Sequence, residues 1–253
     1  MHLLEFRNIS THFGGIKAIE DLDMRVKENQ IMSIIGPNGA GKTTIFNCIT
    51  GLTRPVKGSI FFSDVNIVNL QPHEIARLGI ARTFQNIRLF KEMPVIDNII
   101  VAQHCRTSSG IIDAVLMLRK FRREERIIKE KAIEYLEFVG LYDFANAMSG
   151  SLPYGAQRKL EIARALASEP SLILLDEPTA GMNPQETGQV MELIEKIKKL
   201  GKTVLLIEHD MKVVMGISEW IVVMDHGVKI AEGIPEDIKN NKLVIEAYLG
   251  KGY

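Results

Sequence analysis

The eight residues Gly36-Pro37-Asn38-Gly39-Ala40-Gly41-Lys42-Thr43 constrain this chain more than any other stretch. They give the pattern of a glycine, four residues, a second glycine, a lysine and a hydroxyl residue. An apolar run, Ile31-Met32-Ser33-Ile34-Ile35, precedes them, and a stretch read as a helix from Lys42 to near Gly51 follows. A strand, a glycine-rich turn and a helix in that order wrap backbone N–H groups around an anion, and the helix adds its positive end. The glycines allow the close wrap, Lys42 brings a charge to β- and γ-phosphates, and the Thr43 hydroxyl is placed for Mg²⁺. A chance glycine-rich turn would lack that strand-to-helix context.

The rest of the chain alternates strand-like and helix-like segments, which predicts an α/β fold with a mainly parallel sheet. Leu172 to Leu175 and Thr203 to Ile207 read as two further buried strands. Between them Asn183 is placed to cap a helix that starts at Pro184, carries Leu193, Ile194, Ile197 and Leu200 as its apolar stripe, and ends at Gly201. Residues 3 to 9, 17 to 28 and 57 to 68 are β-rich and expected to pair antiparallel. From about Asn98 to Phe144 the periodicity turns helical, with Ile128, Ala132, Tyr135, Leu136 and Val139 on one face. We expect one domain over 1–253: an α/β core from about 1–90 and 165–253, and an inserted helical subdomain from about 91–164.

A phosphate loop alone suits a kinase, a GTPase or a motor. The segment Leu172-Ile173-Leu174-Leu175-Asp176-Glu177 narrows the choice, because an apolar strand ending in Asp puts a carboxylate at the sheet edge where the loop would hold a metal. Asp176 is expected to bind that metal and Glu177 to act as general base on the attacking water. His209, after the strand ending at Ile207, is expected to sense the γ-phosphate; three adjacent residues at a strand end point different ways, so Glu208, His209 and Asp210 do not suggest a shared metal. Gln85 could be a plain polar turn residue, but the same edge would bring its amide near Mg²⁺ and water.

Composition sets outer bounds. Thirty-one basic residues balance thirty-one acidic ones, which argues against nucleic acid as the main partner. The longest apolar runs, 114–118 and 220–224, have five residues, against the ~18 of a membrane span. No secretory signal is read at the N-terminus, and two distant cysteines, Cys48 and Cys105, suit a reducing compartment. The expectation is a cytoplasmic protein.

Taken together the segments resemble the ATP-binding-cassette family over essentially the whole chain. The resemblance makes Gly36 to Thr44 the Walker A loop, Gln85 the Q-loop glutamine, Asp176 and Glu177 the Walker B pair, and His209 the switch histidine. It implies ATP and Mg²⁺ as cofactors, with Phe13 stacking on adenine. It also implies a dimer that sandwiches nucleotide between one subunit's Walker loop and the other's signature motif. The signature departs from the family's Leu-Ser-Gly-Gly-Gln: Leu152-Pro153-Tyr154-Gly155-Ala156 has Pro153 for the serine and Tyr154 for the first glycine. Tyr154 and Gly155, at a helix start, keep a backbone site for phosphate. Asn183 stands where the D-loop usually has Asp.

The Tyr-Gly signature, Ala180-Gly181-Met182-Asn183, Ile207 to Met211, and the tail from Gly233 to Gly250 resemble the longer ATP-binding subunit of branched-chain amino-acid importers. That subfamily implies a second, different ATPase subunit, a homodimer being the alternative, beneath two permeases fed by an extracytoplasmic solute-binding protein. It places the chain peripherally on the cytoplasmic face of the membrane, with residues around Ile87 to Val95 receiving the permease. The rival readings are the ATPase of a urea importer or a lipopolysaccharide exporter, or a soluble cassette ATPase of translation or DNA repair.

Overall fold

Ile31–Ile35, Leu172–Asp176 and Thr203–Ile207 are buried at every position, as unbroken apolar strands are when both faces of a parallel sheet are covered. The computed structural model describes residues 2–104 and 119–249; Cys105, the apolar run 114–118 and Gly250 lie outside them. In chain order the first elements are β1 (His2–Phe13), β2 (Ile16–Lys27), β3 (Ile31–Ile35), α1 (Lys42–Ile49), β4 (Lys57–Phe62), β5 (Val65–Asn66), α2 (Pro72–Leu78) and β6 (Ile80–Arg82). Three helices follow: α3 (Val95–Gln103), α4 (Arg119–Val139) and α5 (Tyr154–Leu166). The remainder is β7 (Leu172–Asp176), α6 (Pro184–Lys199), β8 (Thr203–Ile207), α7 (Met211–Ile217), β9 (Trp220–Asp225), β10 (Val228–Gly233), α8 (Pro235–Lys239) and α9 (Lys242–Leu249). Two compact units result, residues 1–82 with 171–253, and residues 83–170.

The first unit holds two sheets. In the larger the order is β10-β9-β3-β8-β7-β6; β9, β3, β8, β7 and β6 run parallel, and β10 returns antiparallel on β9. The smaller, β2-β1-β4-β5, is antiparallel throughout, as its sequence suggests. Alternate residues divide the larger sheet between two cores. Met32, Ile34, Leu205 and Val222 join Phe6, Leu22 and Phe62 of the small sheet and Phe46 of α1. On the opposite face Ile35, Ile221 and Val223 join Val214 of α7, Ile238 of α8 and Val244 of α9.

Helix α6 starts where its punctuation says. The Asn183 side chain accepts from the N–H groups of Gln185 and Glu186, both at 3.0 Å, and Glu186 returns a carboxylate to the Asn183 N–H at 3.1 Å. Val190, Leu193, Ile194 and Ile197 are buried. Leu200, expected on the same stripe, is exposed: it is the C-cap, where the chain leaves helical geometry and the 3.6-residue period stops applying.

In the second unit α4 buries Ile128, Ala132, Leu136 and Val139, with Tyr135 half-buried. Helix α5 contributes an ion pair, Arg158 Nη1 to Glu161 Oε2 at 2.8 Å, with side chains 0% and 1% exposed. The pair acts on irregular backbone. Arg158 donates to the carbonyls of Phe84 and Gln85 at 2.6 and 2.7 Å, and Glu161 Oε1 accepts from the N–H groups of Phe84 and Arg88 at 3.4 and 3.2 Å. Loop carbonyls and amides that no ladder can satisfy are thus satisfied by one buried pair. We expect Arg158→Ala to cost about 3–5 kcal/mol, because Glu161 would stay buried without its cation. Urea unfolding checks this against Asn183→Ala, where loss of a cap costs about 1 kcal/mol.

Candidate functional site

The loop after β3 is shaped by two glycines that have no room for a side chain. A Cβ on Gly36 (φ 146°) would lie 2.0 Å from the Met224 carbonyl oxygen at the end of β9, and one on Gly41 (φ 99°) 2.4 Å from the Ala18 carbonyl of β2. Gly41 is also the N-cap of α1 and supplies no capping side chain, so the first amides of α1 remain available to an anion. Lys42 Nζ donates to the carbonyls of Gly36 and Pro37 at 2.6 and 2.8 Å. Burial pushes its ammonium pKa down, while the charges of Glu177 and Asp176 draw it back up. Ala40 is buried, Pro37 and Thr44 half-buried, and Asn38, Gly39 and Thr43 are exposed. Phe13 ends β1 in the hairpin that carries Ala18; its ring is 50% exposed and so is no core residue.

Beside the loop stand the ends of β7 and β8. Asp176 Oδ2 lies 2.9 Å from Arg82 Nη2, and both side chains are 6% exposed. Arg82, on the neighbouring β6, also donates to Asn47 Oδ1 at 2.8 Å. The sequence reading does not single out this arginine, although it follows the apolar pair Ile80-Ala81. Glu177 has a left-handed backbone, φ 48°, and its N–H donates to the Ile207 carbonyl at 2.9 Å. Such a conformation costs a non-glycine residue on the order of 1–3 kcal/mol. His209 Nδ1 is 3.8 Å from Glu177 Oε2, with the His209 side chain 62% exposed.

Glu208, which the sequence suggests only as an unfavoured metal ligand, is a second residue whose role the sequence does not give. It is 1% exposed, and its carboxylate spans two segments. Oε1 accepts from the Thr179 N–H at 2.9 Å and hydroxyl at 2.5 Å, and Oε2 from the His209 N–H at 3.0 Å and Asp210 N–H at 3.5 Å. The turn that carries Glu177 and the turn that carries His209 are therefore tied through one side chain.

The first unit thus gathers Lys42, Asp176, Glu177 and His209. Gln85, Tyr154 and Gly155 belong to the second unit. There the Gln85 carbonyl is held by Arg158. Tyr154 opens α5, 45% exposed, and its hydroxyl accepts from Arg158 Nη2 at 3.3 Å. Gly155 is buried, and Pro153 in the N-cap position offers no side-chain hydrogen bond.

Residues 19–180 match the family model described as ABC transporter. The chain belongs to the ABC transporter family. Residues 228–253 match a second model, the branched-chain amino acid ATP-binding cassette transporter. The chain is 48% identical over 250 residues to the high-affinity branched-chain amino acid transport ATP-binding protein BraF of Pseudomonas aeruginosa, covering 98% of each. It is 46% identical to the corresponding protein LivG of Escherichia coli (strain K12), again over 98% of each. Among solved structures, the ADP conformation of the ATP-binding cassette MJ1267 superposes with TM-score 0.87 at 33% identity, over 99% of this chain and 100% of that one. The dimeric post-hydrolysis state of the cassette MJ0796, bound to ADP and Pi, gives 0.78 at 26% identity over 92% and 98%.

For an ABC ATPase the Glu208 network has a consequence that can be measured. In Glu208→Gln one carboxylate oxygen becomes an NH₂ facing N–H donors, so at least one pair of bonds is lost, at about 1–3 kcal/mol. We expect ATP turnover to fall several-fold with KM near that of the wild type, because the bonds position Glu177 and His209 rather than the loop. Steady-state kinetics with a thermal melt check it.

Proposed function

We propose that this chain is the ATP-hydrolysing subunit of an importer for branched-chain amino acids, bound peripherally on the cytoplasmic face of the membrane. The observation that carries the reading is near-half identity to BraF and LivG over 98% of each chain. The match of residues 228–253 to the branched-chain cassette model supports the same subfamily independently. Among the described residues no helix is long and apolar enough to cross a membrane, so passage of the solute falls to partner subunits. The partners we propose are two permeases, fed by an extracytoplasmic solute-binding protein, and a second ATPase subunit. Pro153 favours a different subunit over a second copy of this chain, because it removes the signature hydroxyl from both composite sites of a homodimer. The exposed apolar residues Phe90 and Met93 support the stretch from Ile87 to Val95 as the permease contact. On this reading residues 1–253 form one nucleotide-binding domain whose two units are the α/β core and the helical subdomain.

Gly36 to Thr44 would hold the phosphates, with Phe13 on the adenine and Tyr154 and Gly155 of the signature facing the partner's nucleotide. No three His, Cys, Asp or Glu side chains among the described residues form a metal cage. The exposed Thr43 hydroxyl and the Asp176 carboxylate suit Mg²⁺, which takes few protein ligands and completes its shell with phosphate and water. Thr43, Asp176 and Gln85 are the residues we assign to it. Bound there, the ion would neutralise charge on the β- and γ-phosphates. Glu177 takes the proton of the attacking water, and His209 steadies the γ-phosphate and water at the neighbouring strand end.

Two experiments test this. Cells lacking the chain should lose high-affinity uptake of labelled leucine, and regain it with the wild-type chain but not with Glu177→Gln; loss of urea uptake or lipopolysaccharide export instead would point to a rival transporter. The Glu177→Gln protein should keep ATP affinity while turnover falls at least about 100-fold, the scale of a lost general base. Retained turnover would remove Glu177 from its role.

A further inference from the structure

Thr43 and Asp176 come from different elements, α1 and β7, and an ion held by both needs their spacing kept. Arg82, the last residue of β6, ties the two elements together. Strand β6 pairs in parallel with β7, with Arg82 opposite Leu174. Leu174 and Asp176 are two residues apart on one strand and so share a face of the sheet. On that face Arg82 Nη2 donates to Asp176 Oδ2 at 2.9 Å. The other arm of the guanidinium turns to α1. Nη1 donates to Asn47 Oδ1 at 2.8 Å and reaches Thr50 Oγ1 at 3.5 Å, with Cζ 5.4 Å from the Phe46 ring centroid. Asn47 follows Thr43 by four residues on α1, so the two stand on one face of the helix, a turn apart. Asn47 is itself anchored: its carbonyl accepts from the N–H groups of Leu52 and Thr53 at 2.9 and 3.1 Å.

A cation that only neutralised a buried acid would need that acid alone. Here the fork is shared between a β7 carboxylate and an α1 amide, and a planar guanidinium fixes the span between them. A lysine could balance the charge but, as a point charge on a flexible stem, could not set that span. Nor does the arginine use up the acid, since a carboxylate has about four lone-pair sites on its two oxygens. We propose that Arg82 is a positioning residue for the divalent cation: by holding Asp176 on β7 and Asn47 one turn beyond Thr43, it sets the spacing of two residues assigned to the ion. This rests on the reading that Thr43 and Asp176 hold Mg²⁺ beside the phosphates.

Asn47→Ala leaves the Arg82–Asp176 pair and removes its tie to α1; Arg82→Lys keeps the charge and loses the fork. The full-length chain is loaded with a non-hydrolysable ATP analogue and titrated with Mn²⁺, the free ion being read by electron paramagnetic resonance. Binding of the analogue in excess EDTA is measured alongside. In both variants the Kd for Mn²⁺ should rise about 10-fold, the scale of a lost outer-shell partner, while analogue binding in EDTA stays at the wild-type value. Should Arg82→Lys fail to fold, Asn47→Ala decides alone. Asp176→Asn is the control for the site: if it binds Mn²⁺ like wild type, the assignment of Asp176 to the ion fails and the proposal falls with it. If Asp176→Asn loses the ion while the two variants hold it like wild type, the site stands and the role of Arg82 is overturned. Tighter Mn²⁺ binding in the variants would make Arg82 a competitor of the ion and overturn it. Equal weakening of analogue binding with and without metal would show a merely structural contact and overturn it as well.

Discussion

The arrangement of the first unit depends on the absence of two side chains. Gly36 and Gly41 pass so close to the carbonyls of Met224 and Ala18 that a single Cβ at either would collide with backbone. Backbone cannot give way as the tip of a flexible side chain can. The loop is therefore wedged between the end of β9 and the β1–β2 hairpin, and both neighbours are themselves fixed by sheet pairing. As the proposed phosphate cradle, such a loop would gain its affinity from N–H groups that already point the right way. The same wedge carries the hairpin with Phe13 to the loop's side, so the two parts of a nucleotide could be met by elements with a common anchor.

Around that fixed loop the charges are arranged by giving each carboxylate a different partner. Asp176 faces the buried Arg82 guanidinium, and Glu208 is satisfied by hydroxyl and N–H donors. Glu177 looks toward His209 at 3.8 Å. Three acids and a histidine within two strand ends would repel or cross-pair if left to find partners freely. Burying Glu208 in donors from Thr179 and His209 removes it from that competition and spends its charge on holding two turns. The left-handed backbone of Glu177 fits this account, because such strain persists only where the surroundings over-determine it. Its N–H on Ile207 and the Thr179 bonds two residues on supply that determination.

What could be read beforehand was whatever depends on local pattern. The phosphate loop, the strands β3, β7 and β8, the caps of α6 and the buried stripe of α4 all write their physics into adjacent residues. Three strands, β6, β9 and β10, carry weaker local signals. In β9 the run Trp220 to Met224 is five apolar residues without alternation, a pattern that does not separate a strand from another buried segment. The β9–β10 turn is made by His226 and Gly227, both at positive φ (45° and 83°), where the usual sequence signal is Asn or Asp before Gly. Strand β6 has only three residues. The roles of Arg82 and Glu208 are illegible for a different reason. Arg82 matters because a crossover sets β6 beside β7, and Glu208 because β8 and β7 end together. Neither adjacency leaves a trace in neighbouring sequence, whereas a glycine pinned at positive φ does.

In the proposed phosphate site, Lys42 would let the loop discriminate among anions. Its ammonium donates to two loop carbonyls, and burial, which disfavours its charge, is opposed by Asp176 and Glu177. A ligand that draws Nζ away must replace two hydrogen bonds from a charged donor, each worth about 1.5–3 kcal/mol. A single weakly charged oxygen offers too little. Adjacent phosphates offer several anionic acceptors together, each bond charge-assisted and strengthened by the poorly hydrated site. Relaxation of the loop around the vacated carbonyls would recover part of that loss for any ligand, and so narrow the difference between a polyphosphate and a weaker anion. With the glycines wedged against backbone there is little room for such relaxation, so in the proposed phosphate site the geometry forbidding a Cβ at Gly36 would also make the exchange at Lys42 selective.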